Sequence, residues 1–307
     1  MSEQQTWAAD LTSPAIIRSG VRKTSFTVDP IAPCLGAEIG NIDLRMPLDD
    51  DQYLALRAAL LKHKVLFFRD QDISAAQQVA LASRFGELEV HPVFPHHPDH
   101  RELVVLGGDS AQAARENIFH TDVSWRKLPS MGSILRCLEC PAVGGDTLWV
   151  NMVAVHAGLP AAVRDRIAGL HAVHDILPAF GSRMNAEQRE ARRQEFPAAT
   201  HPVVRIHPET GEKILYVNEA FTTHLADYLE KHEGQYRFGF DFRLEEMDLL
   251  QYLFRQANAP EYQVRLRWRH NTIAFWDNRS TQHYAIQDYF PARRRMLRAT
   301  IIGDAPF

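Results

Sequence analysis

A mainly β core flanked by helices, an α+β chain, is the fold class this sequence predicts, and three observations point to it. Runs of strand composition recur from Val65 to the C-terminus, and they dominate wherever the chemically informative residues sit. Helical spacing of apolar residues is confined to a few stretches, chiefly 47–62, 74–83 and 244–256. No linker, internal repeat or low-complexity tract divides the chain, so residues 24–307 are expected to form one domain behind a mobile N-terminal extension over 1–23.

The elements follow in order. Pro47 and the acidic run Asp49-Asp50-Asp51 open a helix whose apolar positions continue to Leu61, and Val65-Leu66-Phe67-Phe68 is a short strand. Ser74 caps a second helix that runs through Ser83 and stops before Gly86. Ser133 to Cys140 has strand composition, and Asn185 to Glu195 is a charged helix with little apolar face, expected to lie in solvent. Val203–Ile206 and Ile214–Val217 flank Pro208-Glu209-Thr210-Gly211, which makes a hairpin. Leu244 to Gln256 is amphipathic, and Tyr262 to Trp268 alternates as a half-buried strand. Asn271 to Asp277 reads as a buried strand ending in the turn formers Asp277-Asn278-Arg279-Ser280, and Arg293 to Ile302 closes the chain as another strand.

Composition narrows the class of function. At 307 residues, 45% hydrophobic and 23% charged, the chain can bury a substantial core. A net charge of −4 argues against broad binding to nucleic acid or an anionic membrane. The polar start carries no long apolar run, so a cytoplasmic protein is expected. Three cysteines make no disulfide framework. Cys137 and Cys140 have the spacing of half a zinc site, but strand parity predicts that they face opposite ways.

The most informative pattern is His120-Thr121-Asp122 with His283 far downstream. In an extended strand the side chains of i and i+2 share a face, so His120 and Asp122 are expected to reach one ion. Two imidazoles and one carboxylate suit Fe(II) and leave positions open for a bidentate cosubstrate and O2. A second triplet, His97-Pro98-Asp99, lies in a proline-interrupted polar run and reads as a loop. Strand parity also puts Arg294, Met296, Arg298 and Thr300 on one face, with the two arginines about 13 Å apart. A buried guanidinium needs an anion, and this spacing serves two: a dicarboxylate cosubstrate and an anionic substrate.

Four segments carry a resemblance to a known family: Phe119 to Val123, Gly144 to Trp149, Trp276 to His283, and Arg294 to Thr300. In this order they resemble the taurine dioxygenase group of Fe(II)/2-oxoglutarate-dependent dioxygenases, and the likeness extends over roughly Val28 to Phe307. The resemblance implies a double-stranded β-helix, or jelly roll, with flanking helices. It also implies Fe(II) held by His120, Asp122 and His283, and 2-oxoglutarate held by Thr147 and Arg294, with O2 as the second cosubstrate. His91 and Arg298 would hold a small anionic substrate beside Val123, Phe180 and Phe221. Two departures bear on the substrate: Phe94 stands where taurine enzymes carry tyrosine, and Glu116-Asn117-Ile118 changes the polar residues before the metal histidine, Asn117 being a further substrate contact. A homo-oligomer, dimer or tetramer, is implied as well. Pro178-Ala179-Phe180-Gly181 is expected to act as a lid, with Gly181 as hinge and Phe180 as apolar tip.

A sulfonate or alkyl sulfate ester is the expected substrate, with an aryloxyalkanoate or other carboxylate as the alternative within the group. A zinc hydrolase would use the same ligands but leaves Thr147 and both arginines without a task. A non-enzymatic metal-binding jelly roll is the third reading.

Overall fold

The computed structural model describes residues 26–108, 117–226 and 242–307. The extension expected over 1–23, and Glu116, lie outside them. Among the described residues the backbone of the fold is a seven-stranded sheet in the order Thr27–Pro30, Ala37–Gly40, Val65–Phe68, Ile273–Asp277, Ser130–Glu139, Arg294–Ile302, Leu103–Gly108. Pairing is antiparallel except between Ala37–Gly40 and Val65–Phe68. A three-stranded sheet, Gln263–Leu266, Thr147–Asn151, Thr281–Ala285, faces it. The core between the two explains the strand compositions: Val65, Phe67, Leu135 and Trp276 from the large sheet pack with Trp149, Val264, Leu266 and Trp268 from the small one.

The other face of the large sheet is covered by two helices, each stopped and started by local chemistry. Asp49 and Ser74 cap Asp50–His63 and Ala75–Ser83, and in each a glutamine three residues on returns the bond to the cap's own N–H. Leu56, Ala59, Leu60 and Leu81 join Leu66, Phe68, Ile134 and Phe275 in this second core. Gln78, fully buried, donates to the carbonyls of Ile134 and Leu297 at 3.0 and 2.9 Å and so fastens the second helix to the two central strands.

Beyond the small sheet lies a third layer. Met152–Gly158, the hairpin strands Val204–Ile206 and Lys213–Leu215, and Phe242–Arg255 share one cluster with Val150, Leu225 and Leu253. The strands Thr222–Leu225, His171–His174 and Ala199–Pro202 form a further small sheet. Ala186–Glu195 buries none of its residues, as its charge pattern predicts.

One local expectation is corrected. Cys137 and Cys140 do not stand clear of each other, because the ladder shifts register where Arg295 and Met296 meet Glu139 and Cys137. Burial first, and Cys140 next, push the Cys137 thiol up to about 12, which makes a reactive thiolate scarce. Gly181 has an ordinary φ of −89°, so conformational freedom is not what selects it. A Cβ there would sit 2.7 Å from the Leu177 carbonyl oxygen, so close packing at the end of Leu177–Phe180 excludes a side chain.

Candidate active site

His120, Asp122 and His283 meet on the inner side of the small sheet, with one ligand atom from each inside a 4.8 Å span and all three buried. Among the described residues no other such group is found, and His97 and Asp99 instead make a local loop, the Asp99 N–H donating to His97 Nδ1 at 3.2 Å. The expected strand parity is not what brings the triplet together. His120 forms a single two-way bridge with His283, their N–H groups donating to each other's carbonyls at 3.0 and 2.9 Å, and the chain then turns, with Val123 at φ 47°. The turn, rather than a continuing strand, presents Asp122.

That turn is pinned from both sides. The Asp122 N–H donates to Asn278 Oδ1 at 2.9 Å, and Asn278 Nδ2 donates back to the Asp122 carbonyl at 3.0 Å and to Ser130 Oγ at 2.7 Å. From the opposite side Asn218 Nδ2 donates to Ser124 Oγ at 3.0 Å, and His201 Nε2–H donates to the carbonyls of Ser124 and Arg126 at 3.0 and 2.9 Å. Asn278 belongs to the run of turn formers that follows Asp277; the sequence signalled a turn there but not the side chain's grip on Asp122.

The donor set fits a divalent metal of the Fe(II) type. His120 Nδ1–H donates to the Ile118 carbonyl at 2.9 Å, which leaves its Nε2 lone pair free, and that Nε2 lies 3.8 Å from Asp122 Oδ1. His283 Nε2 lies 3.9 Å from the same oxygen, and the two imidazole rings are 4.1 Å apart. Burial first, then neighbouring His120, holds His283 down at about 3, so it is a neutral ligand at physiological pH. Burial alone would raise the Asp122 carboxyl; Arg298, then His283 and His120, overcome it and hold Asp122 well below the usual carboxylate range. The neutral His283 nitrogen and the ionised Asp122 oxygen are therefore ready to ligate without losing a proton, with His120 Nε2 beside them.

The two arginines face inward as their parity predicts, and both are buried. Arg294 Nη2 donates to Thr147 Oγ1 at 3.3 Å across the gap between the sheets, and Trp268 Nε1 donates to the same hydroxyl at 2.9 Å. Trp268, read from sequence only as the end of a strand, thus orients the Thr147 hydroxyl, and the Arg294 guanidinium lies over its ring at 5.8 Å. The preceding turn needs glycine: Gly144 and Gly145 have φ of 83° and 70°, and the Gly145 N–H donates to Asp288 Oδ1 at 2.7 Å.

Arg298 Nη1 donates to Asp122 Oδ1 at 2.9 Å, so the arginine expected to face a substrate anion stands within one hydrogen bond of the carboxylate in the candidate metal cluster. Its guanidinium also lies over Phe94 at 5.7 Å. His91, only 2% exposed, accepts from the N–H groups of Val93 and Phe94 at Nδ1, at 3.2 and 3.4 Å, which leaves the proton on Nε2. Burial, then Arg298, holds its pKa at about 3, so it is a neutral donor. A chain of rings closes the space: His91 to Phe94 at 4.7 Å, Phe94 to Phe180 at 5.6 Å, Phe180 to Phe221 at 6.3 Å, and Phe221 to His120 at 6.4 Å. Val123 packs in the same cluster as Phe180 and Phe221. Asn117 is exposed and does not join this group.

Comparison with known proteins agrees with this arrangement. Residues 27–300 match the description Taurine catabolism dioxygenase TauD, TfdA family. The chain is 34% identical over 302 residues to an alpha-ketoglutarate-dependent sulfate ester dioxygenase of Pseudomonas putida, covering 96% of this chain and 95% of that one. It is 34% identical over 278 residues to an alkylsulfatase of Acinetobacter baylyi, covering 88% and 83%. The crystal structure of a taurine dioxygenase from Burkholderia xenovorans superposes with a TM-score of 0.76 at 35% identity, over 92% of this chain and 91% of that one. A match that spans the metal face, both arginines and nearly all of the described chain leaves one conclusion: the chain belongs to the taurine catabolism dioxygenase TauD, TfdA family.

Proposed function

We propose that this enzyme, an Fe(II)- and 2-oxoglutarate-dependent dioxygenase, hydroxylates a small organic sulfate ester or sulfonate at the carbon next to the sulfur-bearing group. The observation that carries the proposal is that a buried cation, Arg298, and the neutral Nε2–H donor of His91 both lie against the Phe94 ring, at one end of a row of rings continued by Phe180 and Phe221 that would wall a substrate pocket. Such a pocket takes one anionic head and an apolar body. The names of the two curated relatives, a sulfate ester dioxygenase and an alkylsulfatase, favour the sulfate ester.

His120, Asp122 and His283 would ligate the iron, and Thr147 and Arg294 would hold the distal carboxylate of 2-oxoglutarate. Bound Fe(II) supplies the oxidative chemistry in which 2-oxoglutarate and O2 become succinate and CO2 while one oxygen atom enters the substrate. The chain's own residues place the groups. His91 and Arg298 fix the anion, the aromatic walls exclude water, and the substrate carbon is held towards the triad. Arg298 would exchange its bond with Asp122 for one with the substrate as the carboxylate turns to the metal. A hydroxylated alkyl sulfate then breaks its C–O bond to give an aldehyde and sulfate; a hydroxylated sulfonate breaks its C–S bond to give an aldehyde and sulfite.

The finer features belong to the same proposal. Two facing sheets with mostly antiparallel strands support a double-stranded β-helix, with 24–307 as one unit. Pro178 to Gly181 would act as the lid, with Gly181 as hinge and Phe180 as apolar tip, and Asn117, three residues before His120, as an outer substrate contact. A dimer or tetramer is proposed, to be read by light scattering. No helix among the described residues is long and apolar enough to cross a membrane. The test is a substrate panel of alkyl sulfates, sulfonates and aryloxyalkanoates assayed for succinate together with sulfate or sulfite. Sulfate released in step with succinate supports the proposal; turnover of aryloxyalkanoates alone replaces it with the carboxylate alternative.

A further inference from the structure

Behind the anion end of the pocket four charges alternate in sign towards the surface. Asp122 meets Arg298 at 2.9 Å, and Glu89 Oε1 lies 2.9 Å from Arg126 Nη2. Glu89 joins the two pairs. It is 5% exposed, its N–H donates to the Thr300 carbonyl on the strand that carries Arg298, and beyond the Arg126 ion pair neither of its side-chain oxygens has a hydrogen-bond partner among the described residues. Burial pushes the Glu89 carboxyl up; Arg126 and then Arg298 oppose that push. Arg126 stacks over Trp125 at 4.9 Å and Phe196 at 5.9 Å, beside a cleft of about 480 Å³ that Glu89, Val123, Ser130 and Phe196 help to line.

The charges that face an anion bound at Arg298 can be summed. With Asp122 turned from Arg298 to the metal, Fe(II), Asp122, 2-oxoglutarate and Arg294 would sum to zero; His91 is neutral, the Glu89–Arg126 pair cancels, and Arg298 remains as a single positive charge. Sulfonates and sulfate monoesters carry one negative charge, whereas a phosphate monoester carries nearly two at neutral pH, its second pKa being about 6.

We propose that Glu89 is a specificity-determining residue: by cancelling Arg126 it leaves Arg298 alone to face the substrate, so that the subsite selects a monoanion over a phosphate-type dianion. The inference rests on the assignment of Arg298 and His91 to the substrate anion. It makes opposite predictions for the two halves of the pair. Glu89→Gln keeps the volume and leaves Arg126 and Arg298 both uncancelled, which favours the dianion. Arg126→Gln leaves Glu89 to cancel Arg298, which weakens the monoanion.

The experiment is anaerobic calorimetry on protein loaded with Fe(II) and 2-oxoglutarate, titrated with hexyl sulfate and hexyl phosphate. The wild type is expected to bind hexyl sulfate at least about tenfold more tightly than hexyl phosphate; Glu89→Gln is expected to narrow that ratio by about tenfold or more, and Arg126→Gln to raise the Kd for hexyl sulfate at least about threefold. A loosened fold would weaken both ligands in both variants, so opposite signs exclude it. A ratio unchanged within about twofold in Glu89→Gln, or weakening of both ligands by both variants, overturns the inference while the proposed function stands. Wild-type protein that binds 2-oxoglutarate but neither hexyl compound overturns the anion subsite and this inference with it.

Discussion

Asn278→Ala is the perturbation that reaches the candidate metal cluster without replacing His120, Asp122 or His283. Asn278 is fully buried, and its side chain accepts from the Asp122 N–H at 2.9 Å while donating to the Asp122 carbonyl at 3.0 Å, Ser130 Oγ at 2.7 Å and the Ser130 carbonyl at 3.2 Å. Truncation removes all of these bonds and leaves the N–H and C=O of Asp122 buried with poorer partners or none. At about 1 kcal/mol per net hydrogen bond, with a further penalty for stranded backbone groups, the loss is about 3–5 kcal/mol of stability. The Asp122 turn is also freed, and loss of such a supporting contact lowers metal affinity by about 10–100-fold. Urea unfolding gives the first number, and anaerobic Fe(II) titration of the folded variant gives the second. A variant within about 0.5 kcal/mol of wild type that binds Fe(II) equally well would show that the turn holds itself and that Asn278 is a bystander.

Other outcomes follow from the same geometry. Asp122→Ala is expected to abolish succinate formation, because among the described residues no other carboxylate completes the cluster. Arg294→Ala is expected to raise the KM for 2-oxoglutarate by about 100-fold, as loss of a buried charged hydrogen bond costs about 1.5–3 kcal/mol or more. Trp268→Phe removes one neutral bond to Thr147 Oγ1 and should raise the same KM by about 3–10-fold while leaving the KM for substrate alone. Stability should fall in acid through His91. Its folded pKa of about 3 lies below the unfolded value of 6.5, so above pH 6.5 it contributes nothing, and between 6.5 and 3 the unfolded chain takes a proton that the folded state refuses. The slope is about 1.4 kcal/mol per pH unit, and His91→Asn, followed by fluorescence-detected urea unfolding across pH 4–7, should lose that part of it.

What the sequence disclosed and what it hid divide along physical lines. Helix starts were readable because Ser74 and the acidic run at Asp49 act within three residues of themselves. The strand face of Arg294 and Arg298 was readable because parity is a property of the strand alone. Asp122 lay beyond such rules: its direction depends on a turn held by Asn278, distant in sequence, so the expectation of a continuing strand failed although the three side chains still meet. Cys137 and Cys140 misled for a related reason, since a register shift against Arg295 and Met296 breaks the alternation on which parity rests. Trp268 and Glu89 carried no motif at all. Their importance comes from what lies across the fold, a hydroxyl on Thr147 in one case and two guanidiniums in the other.

The most direct test of the central claim is anaerobic titration of the Fe(II) protein with 2-oxoglutarate, followed by an alkyl sulfate, while recording the visible metal-to-ligand charge-transfer band. The account predicts that the band forms with 2-oxoglutarate, shifts when the alkyl sulfate is added, and fails to shift in Arg298→Ala. Protein shown to hold iron that gives no band with 2-oxoglutarate would contradict the assignment of His120, Asp122 and His283 as the centre of a 2-oxoglutarate dioxygenase.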